Sequence, residues 1–222
     1  MRKNFFFTCV CFFVLMGLIY AQPYTTTESE AIFSMADVLR NGRQMTIIPR
    51  LSLFFHFSGY VHFDMSSRFG LMTGIGVRNI GFITREDTMR IKRRAYTAGI
   101  PVALKLGNLK EEWFFLAGGE CEIPMYYKEK WFYLNVKTKY NEWFGDKVSL
   151  LLPSVFIGLQ LPDETVFRIR YYLNDFLHPR NYFNATGINY TRSRLFSFSV
   201  SKSMTAKKKK GDALKQKDYV DN

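Results

Sequence analysis

The sequence predicts an all-β fold: a single antiparallel transmembrane β-barrel of about eight strands, with an N-terminal export signal before it and a short disordered basic tail after it. Three observations carry that expectation. Segment after segment alternates apolar and polar side chains with a period of two, the spacing that sends successive residues to opposite faces of a strand. The polar side holds glycines, serines and isolated arginines, which suit a narrow hydrated interior better than a water-washed surface. Beyond the N-terminal segment no stretch approaches the ~18 uninterrupted apolar residues of a spanning helix, so a helical membrane protein is excluded.

Residues 1–21 read as a signal peptide. Arg2 and Lys3 form its basic start, residues 5–19 are almost continuously apolar, and Ala21 before Gln22 offers a cleavage point. Cys11 follows Thr8, Cys9 and Val10, which is not a lipoprotein approach. Export removes Cys9 and Cys11 and leaves Cys121 alone, so neither an intramolecular disulfide nor a cysteine metal cluster is expected. At 222 residues, 47% hydrophobic and 17% aromatic, the chain has the size and apolar content of one folded domain. Its net charge of +12 falls to about +10 without Arg2 and Lys3. An exported basic chain meets anionic lipid, lipopolysaccharide and peptidoglycan before nucleic acid, which is not an expected partner.

Residues 22–44 form an N-terminal segment in which 28–40 reads as a short amphipathic helix, and the barrel is expected over 45–204. Seven strands stand out, near residues 45–57, 69–83, 92–106, 113–127, 148–161, 165–174 and 188–203. Single-chain bacterial barrels have even strand numbers, so an eighth is expected before Gln44 or around Tyr182. Connections 107–112 and 162–164 are short, whereas 128–147 and 175–187 are long. Membrane barrels keep short turns on the periplasmic side and long loops outside, so the 128–147 loop is expected at the exterior. Residues 205–222 form the tail, where Lys207 to Lys210 suit contact with peptidoglycan or anionic lipid as well as plain solvation.

Arg78, Arg93, Lys105, Arg168 and Arg170 fall on the expected lumen face, as do Glu120 and Glu122. This set reads as an interior ion-pair network, with an ion-selective constriction or a ligand site as the sharper alternative. Trp113, Tyr126, Tyr127, Trp131, Trp143 and Tyr171 lie near expected strand ends, where rings commonly form an interfacial girdle. Trp131 and Trp143 are in addition candidates for an exterior contact site. His56, His62 and His178 have no nucleophile motif beside them, so no catalytic residue, metal ligand or cofactor is expected, and His178 before Pro179 is the one histidine in an outer loop. The glycines of Gly74-Ile75-Gly76 and Gly118-Gly119 open no helix and do not make a phosphate loop.

The run Arg78-Asn79-Ile80-Gly81-Phe82-Ile83, then Gly99-Ile100-Pro101-Val102 with Lys105, then Arg170-Tyr171-Tyr172-Leu173, resembles the PorT-like outer-membrane β-barrel family of Bacteroidetes-type bacteria. A signal ending Ala-Gln is similar to that group as well. The resemblance spans residues 50–204 and implies an outer-membrane address and a link to protein secretion or envelope assembly. The lysine-rich tail departs from barrels that end on an aromatic residue. The expectation is a monomeric, non-enzymatic barrel in the outer membrane of a Gram-negative bacterium. Lipid, lipopolysaccharide and envelope or secretion proteins are its expected partners. A narrow pore or transporter, or a soluble ligand-binding barrel with its apolar faces inward, are the alternatives.

Overall fold

The computed structural model describes residues 23–86, 88–134 and 136–205, so the expected signal peptide and basic tail lie outside the described residues. In chain order the elements are β1 (Tyr24–Arg40), β2 (Arg43–Gln44), β3 (Thr46–Ile48), β4 (Arg50–Ser52), β5 (Phe57–Asp64), β6 (Phe69–Glu86), β7 (Met89–Asn108), β8 (Trp113–Tyr133), β9 (Val136–Trp143), β10 (Leu152–Gln160), β11 (Thr165–Asp175), α1 (Pro179–Thr186) and β12 (Tyr190–Thr205). Eight of them close an antiparallel ring in the order β1-β5-β6-β7-β8-β10-β11-β12. β8 meets β10 from Leu152↔Glu122 to Gln160↔Phe114, and β12 returns to β1 from Thr26↔Thr205 onward. Closure removes the unpaired strand edges that an open sheet would present.

The eighth strand is β1, which replaces the helix expected over 28–40. Thr26, Glu28, Glu30, Ile32, Ser34, Ala36 and Val38 are buried while the residues between them face outward, a period of two along the element. The strand expected over 45–57 is also revised. β3 and β4 are short pieces bridging β6 and β1, and the ring strand is β5, which follows a turn at Phe55 with φ +66°. The long loop expected over 128–147 is largely a hairpin: β8 runs on to Tyr133 and β9 pairs back against it from Tyr133↔Val136 to Tyr126↔Trp143. The 175–187 connection holds α1, capped at its start by His178, whose Nδ1 accepts the Asn181 N–H at 3.3 Å, and ended by Gly187 at φ +72°.

Strand directions separate the two ends. Turns 65–68, 109–112 and 161–164 lie at one end with the start of β1 and the finish of β12, and the β1–β5, β8–β10 and β11–β12 connections lie at the other.

At mid-strand the large apolar side chains mostly point out. Ile75, Ile100, Val102 and Ile157 are 57–64% exposed, whereas Arg78, Arg93, Lys105 and Glu122 are at most 1% exposed. A soluble ligand-binding barrel would reverse these faces. From Tyr96 to Leu106 the outward side of β7 spans ~33 Å along the strand, about 25 Å of height at a ~40° tilt. Inside, two apolar clusters sit at different levels. One, at the loop end, gathers Phe82, Tyr127, Leu152, Phe176 and Tyr182; the other, toward the turn end, gathers Met72, Leu109, Phe114 and Phe156.

Several glycines are required by backbone geometry, Gly81 among them. Gly81 has φ +149°, and a Cβ there would stand 2.1 Å from the carbonyl oxygen of Arg93 on β7. Gly59, with nothing within 4 Å of a built Cβ, is its natural control. Gly81→Ala is expected to lower unfolding stability by about 1–3 kcal/mol, against less than about 0.5 kcal/mol for Gly59→Ala, as read from urea titration of the refolded protein. Equal effects would refute the close β6–β7 approach.

Candidate functional site: the lumen charge belt

Between the two apolar clusters the lumen is filled by charge. Arg78 on β6 donates from Nε to Glu30 Oε2 on β1 at 3.0 Å, and its Nη1 bonds Glu120 on β8 and lies 3.7 Å from Glu122 Oε1. Arg170 reaches in from β11 and joins the same two carboxylates, Glu120 Oε2 and Glu122 Oε1, at 2.8 Å each. The Tyr172 and Thr97 hydroxyls also donate to Glu122, and Ser199 donates to Glu30. Glu120 and Glu122 are two residues apart on one strand, so the pleat aims both at the axis. Room for them comes from Gly99 on β7, where a Cβ would stand 2.6 Å from Glu120 Oε1. Gly76 on β6 makes similar room, since a Cβ there would stand 3.1 Å from Arg78 Nη1.

The remaining cations are paired at other levels. Arg168 holds Glu28 bidentately, at 2.6 and 2.9 Å, beneath the ring of Tyr60 at 5.4 Å. Lys105 donates to Asp64 Oδ1 at 2.6 Å and to the Tyr24 hydroxyl at 2.8 Å near the turn end. Arg93 sits near the loop end, 3.9 Å from Glu129, which also accepts the hydroxyls of Tyr127 at 2.6 Å and Tyr182 at 2.8 Å. Tyr182 belongs to α1, so the loop after β11 folds into the mouth.

Every charged residue expected in the lumen is therefore there, but the sequence reading lacked four of their partners. Glu28 and Glu30 were hidden by the helical reading of β1, Asp64 by the missed strand β5, and Glu129 by an assumed loop. Ordinary two-residue counting from Arg168 gives no hint of Glu28, 140 residues away.

The aromatic set is split by the structure. A bulge in β8, where Thr97↔Pro124 is followed by Tyr96↔Tyr126, shifts the alternation by one residue. Tyr126 therefore faces out and Tyr127 turns inward, 3% exposed, which removes Tyr127 from the girdle. Trp131 shares the inner face with buried Ile91, whereas Trp143 lies on the outer face against Tyr126, with rings 4.6 Å apart. The two tryptophans are on opposite sides of the hairpin and do not form one contact site. Trp113 packs edge-on against Phe115 at the turn end of the outer wall, and Tyr171 is outward, opposite Val155 and Phe196.

Among the described residues no group of His, Cys, Asp or Glu has the arrangement of a metal site. His62 is hydrogen-bonded to Thr26 at 2.8 Å and stacked on Tyr24, His56 is bonded to Ser52 at 2.8 Å, and His178 caps α1. Cys121 is a free thiol on the outer wall.

What the belt does is hold the ring together across its bore, since each guanidinium joins strands that are not neighbours. Glu120→Ala would leave Arg78 and Arg170 short of a buried counter-charge and is expected to destabilise the fold by about 3–5 kcal/mol. Asp37→Ala, which removes the half-exposed Arg192 pair, should cost about 0–1 kcal/mol. Heat-modifiable gel mobility and urea midpoints read both. Unchanged folding of Glu120→Ala with new ion conductance would make the belt a constriction rather than a brace.

No family model and no curated protein sequence matches the chain. Among solved structures it is similar to Ail, the attachment invasion locus protein of Yersinia pestis, at TM-score 0.36 and 10% identity over 82% of this chain and 97% of that one. It is also similar to OprG of Pseudomonas aeruginosa, at TM-score 0.33 and 9% identity over 84% and 97% of the two chains. The N-terminal β-barrel domain of OprF from the same organism matches at TM-score 0.32 and 6% identity over 82% and 100%. Overlaps this loose leave the reading of the chain to its own geometry.

Proposed function

We propose that the protein is a closed, non-conducting β-barrel of the outer membrane of a Gram-negative bacterium, with a structural or interaction role in the cell envelope. The observation that carries this reading is the inversion of faces: a largely apolar outer wall around a bore packed with paired charge. Water would be a poor solvent for that wall. Soluble monomers rarely expose contiguous apolar patches above a few hundred Å², while a bilayer needs a belt about 25 Å tall. The seal of the bore favours an interaction role over transport. Arg78, Arg170 and their carboxylates fill its middle, and apolar side chains close it above and below. The loop end, with α1 and the β8–β9 hairpin, would face the exterior and the three short turns the periplasm.

A link to secretion or envelope assembly rests on the resemblance of the Arg78 to Ile83 run to the PorT-like family. The outer wall and the loops would then be the working surfaces, and the charge belt a scaffold.

Expressed with its own signal in a Gram-negative host, the chain should fractionate with outer membranes and resist alkaline carbonate extraction. In planar bilayers the purified protein should pass almost no current. Recovery in the soluble periplasm would overturn the membrane reading, and steady single-channel steps would overturn the sealed lumen.

A further inference from the structure

Resting on the membrane-barrel reading, we propose that a basic cleft on the outer wall, at the loop end just above the apolar belt, is a binding site for the phosphorylated headgroup of an outer-leaflet glycolipid of the lipid A type. The cleft encloses about 510 Å³ and is lined by Arg50, Lys92, Arg94, Lys128 and Lys130, with Tyr96 at the lower side where the belt begins.

The electrostatics of these residues are unusual for a sheet surface. Across β7 and β8, Arg94 stands directly opposite Lys128 and Lys92 opposite Lys130, and Lys130 in turn stands opposite Lys139 on β9. Like charges in directly opposed positions destabilise a sheet, and natural sheets usually alternate the sign. Among the described residues, none of the ion pairs includes Arg50, Lys92, Arg94, Lys128 or Lys130. Burial, then Arg90 and Arg50, lowers the Lys92 pKa, and burial, then Arg94 and Lys137, lowers that of Lys130. The lumen offers the contrast, since there every cation has an acid. The outer cleft concentrates positive charge and leaves its neutralisation to something outside the chain.

The position and shape of the cleft say what that is. Arg50 is fixed, not splayed: its guanidinium donates to the Asn79 side chain at 2.6 Å and to the Asn79 carbonyl at 3.0 Å, so one wall of the cleft is preformed. Beside the cations, Phe54 and Phe55 are 74% and 57% exposed, and Phe55 meets the Tyr96 ring edge-on at 5.5 Å. A small soluble anion would use the cations and leave these rings idle. A phosphorylated glycolipid uses both, with phosphates among the lysines and arginines and acyl chains passing Phe55 and Tyr96 to continue down the belt.

The test uses the mature chain, folded in dodecyl maltoside, with three probes: diphosphorylated lipid A, the same lipid after removal of its phosphates, and inorganic phosphate. Saturable binding is expected for the first, at least ~10-fold weaker binding for the second, and none at millimolar levels for the third. Lys92→Gln/Lys130→Gln should weaken lipid A binding about 30-fold, yet unfold no earlier than the parent in lipid-free detergent, because it relieves repulsion. Four results would overturn the proposal: equal affinity of parent and variant, equal binding of the dephosphorylated lipid, phosphate binding as tight as the lipid, or loss of folding in the variant. A chain that proves soluble without detergent fails the membrane reading itself, which is a separate outcome.

Discussion

Arg78 and Arg170 meeting Glu120 and Glu122 at the axis is the contact on which the rest of the architecture depends. A ring of eight strands leaves a bore just wide enough for side chains to fill. Filling it with hydrocarbon alone would make an ordinary two-sided apolar sheet, with nothing to distinguish inside from outside. Filling it with charge demands pairing, because an isolated guanidinium out of water is costly while a bidentate, hydrogen-bonded one is tolerated. Once the cations are matched by Glu28, Glu30, Glu120, Glu122, Glu129 and Asp64, the apolar residues are committed to the outer wall by strand alternation.

The same pairing ties together parts of the chain that are remote in sequence. β1 and β11 contribute Glu28 and Arg168, and β7, β8 and α1 contribute Arg93, Glu129 and Tyr182. The first link reaches past β12, which lies between its two strands, and the second draws the outer loop into the mouth of the bore. A bore held shut in this way is a brace, and the surfaces that remain available are the outer wall, the β8–β9 hairpin and the loop end. On that surface the unpaired cations around Lys92 and Lys130 form the inverse of the lumen, positive charge without internal compensation.

Much of this was legible in the sequence because the strongest strands carry their pattern openly. From Ile100 to Leu106 and from Phe196 to Val200, the outward residues are large and apolar and the inward ones small or charged, so the faces follow from alternation alone; from Val155 to Leu159 the inward Phe156 is the exception. β1 was not legible. Its outward side begins with Thr25, Thr27 and Ser29 and its inward side with Thr26, Glu28 and Glu30, so neither face looks like a core, and the mixed composition imitates an amphipathic helix. Tyr127 failed for a different reason. Alternation is reliable only within an unbroken register, and the bulge before Tyr126 reverses the faces of everything after it, which also brought Glu129 into the lumen. The gathering of Arg50 with Lys128 had no local signal, since it is created by β3 and β4 bridging from β6 to β1.

Lipid against the outer wall can be read directly with spin labels. Single nitroxides at Ile100, Val102 and Leu104, in a Cys121→Ser background reconstituted into bilayers, should be relaxed strongly by oxygen and weakly by a water-soluble nickel chelate. The contrast should be greatest for the label nearest mid-belt, with Ala103 shielded from both. Relaxation of the outward labels by the nickel chelate as strong as that of a label on the β8–β9 hairpin would mean that water, not hydrocarbon, bathes this wall.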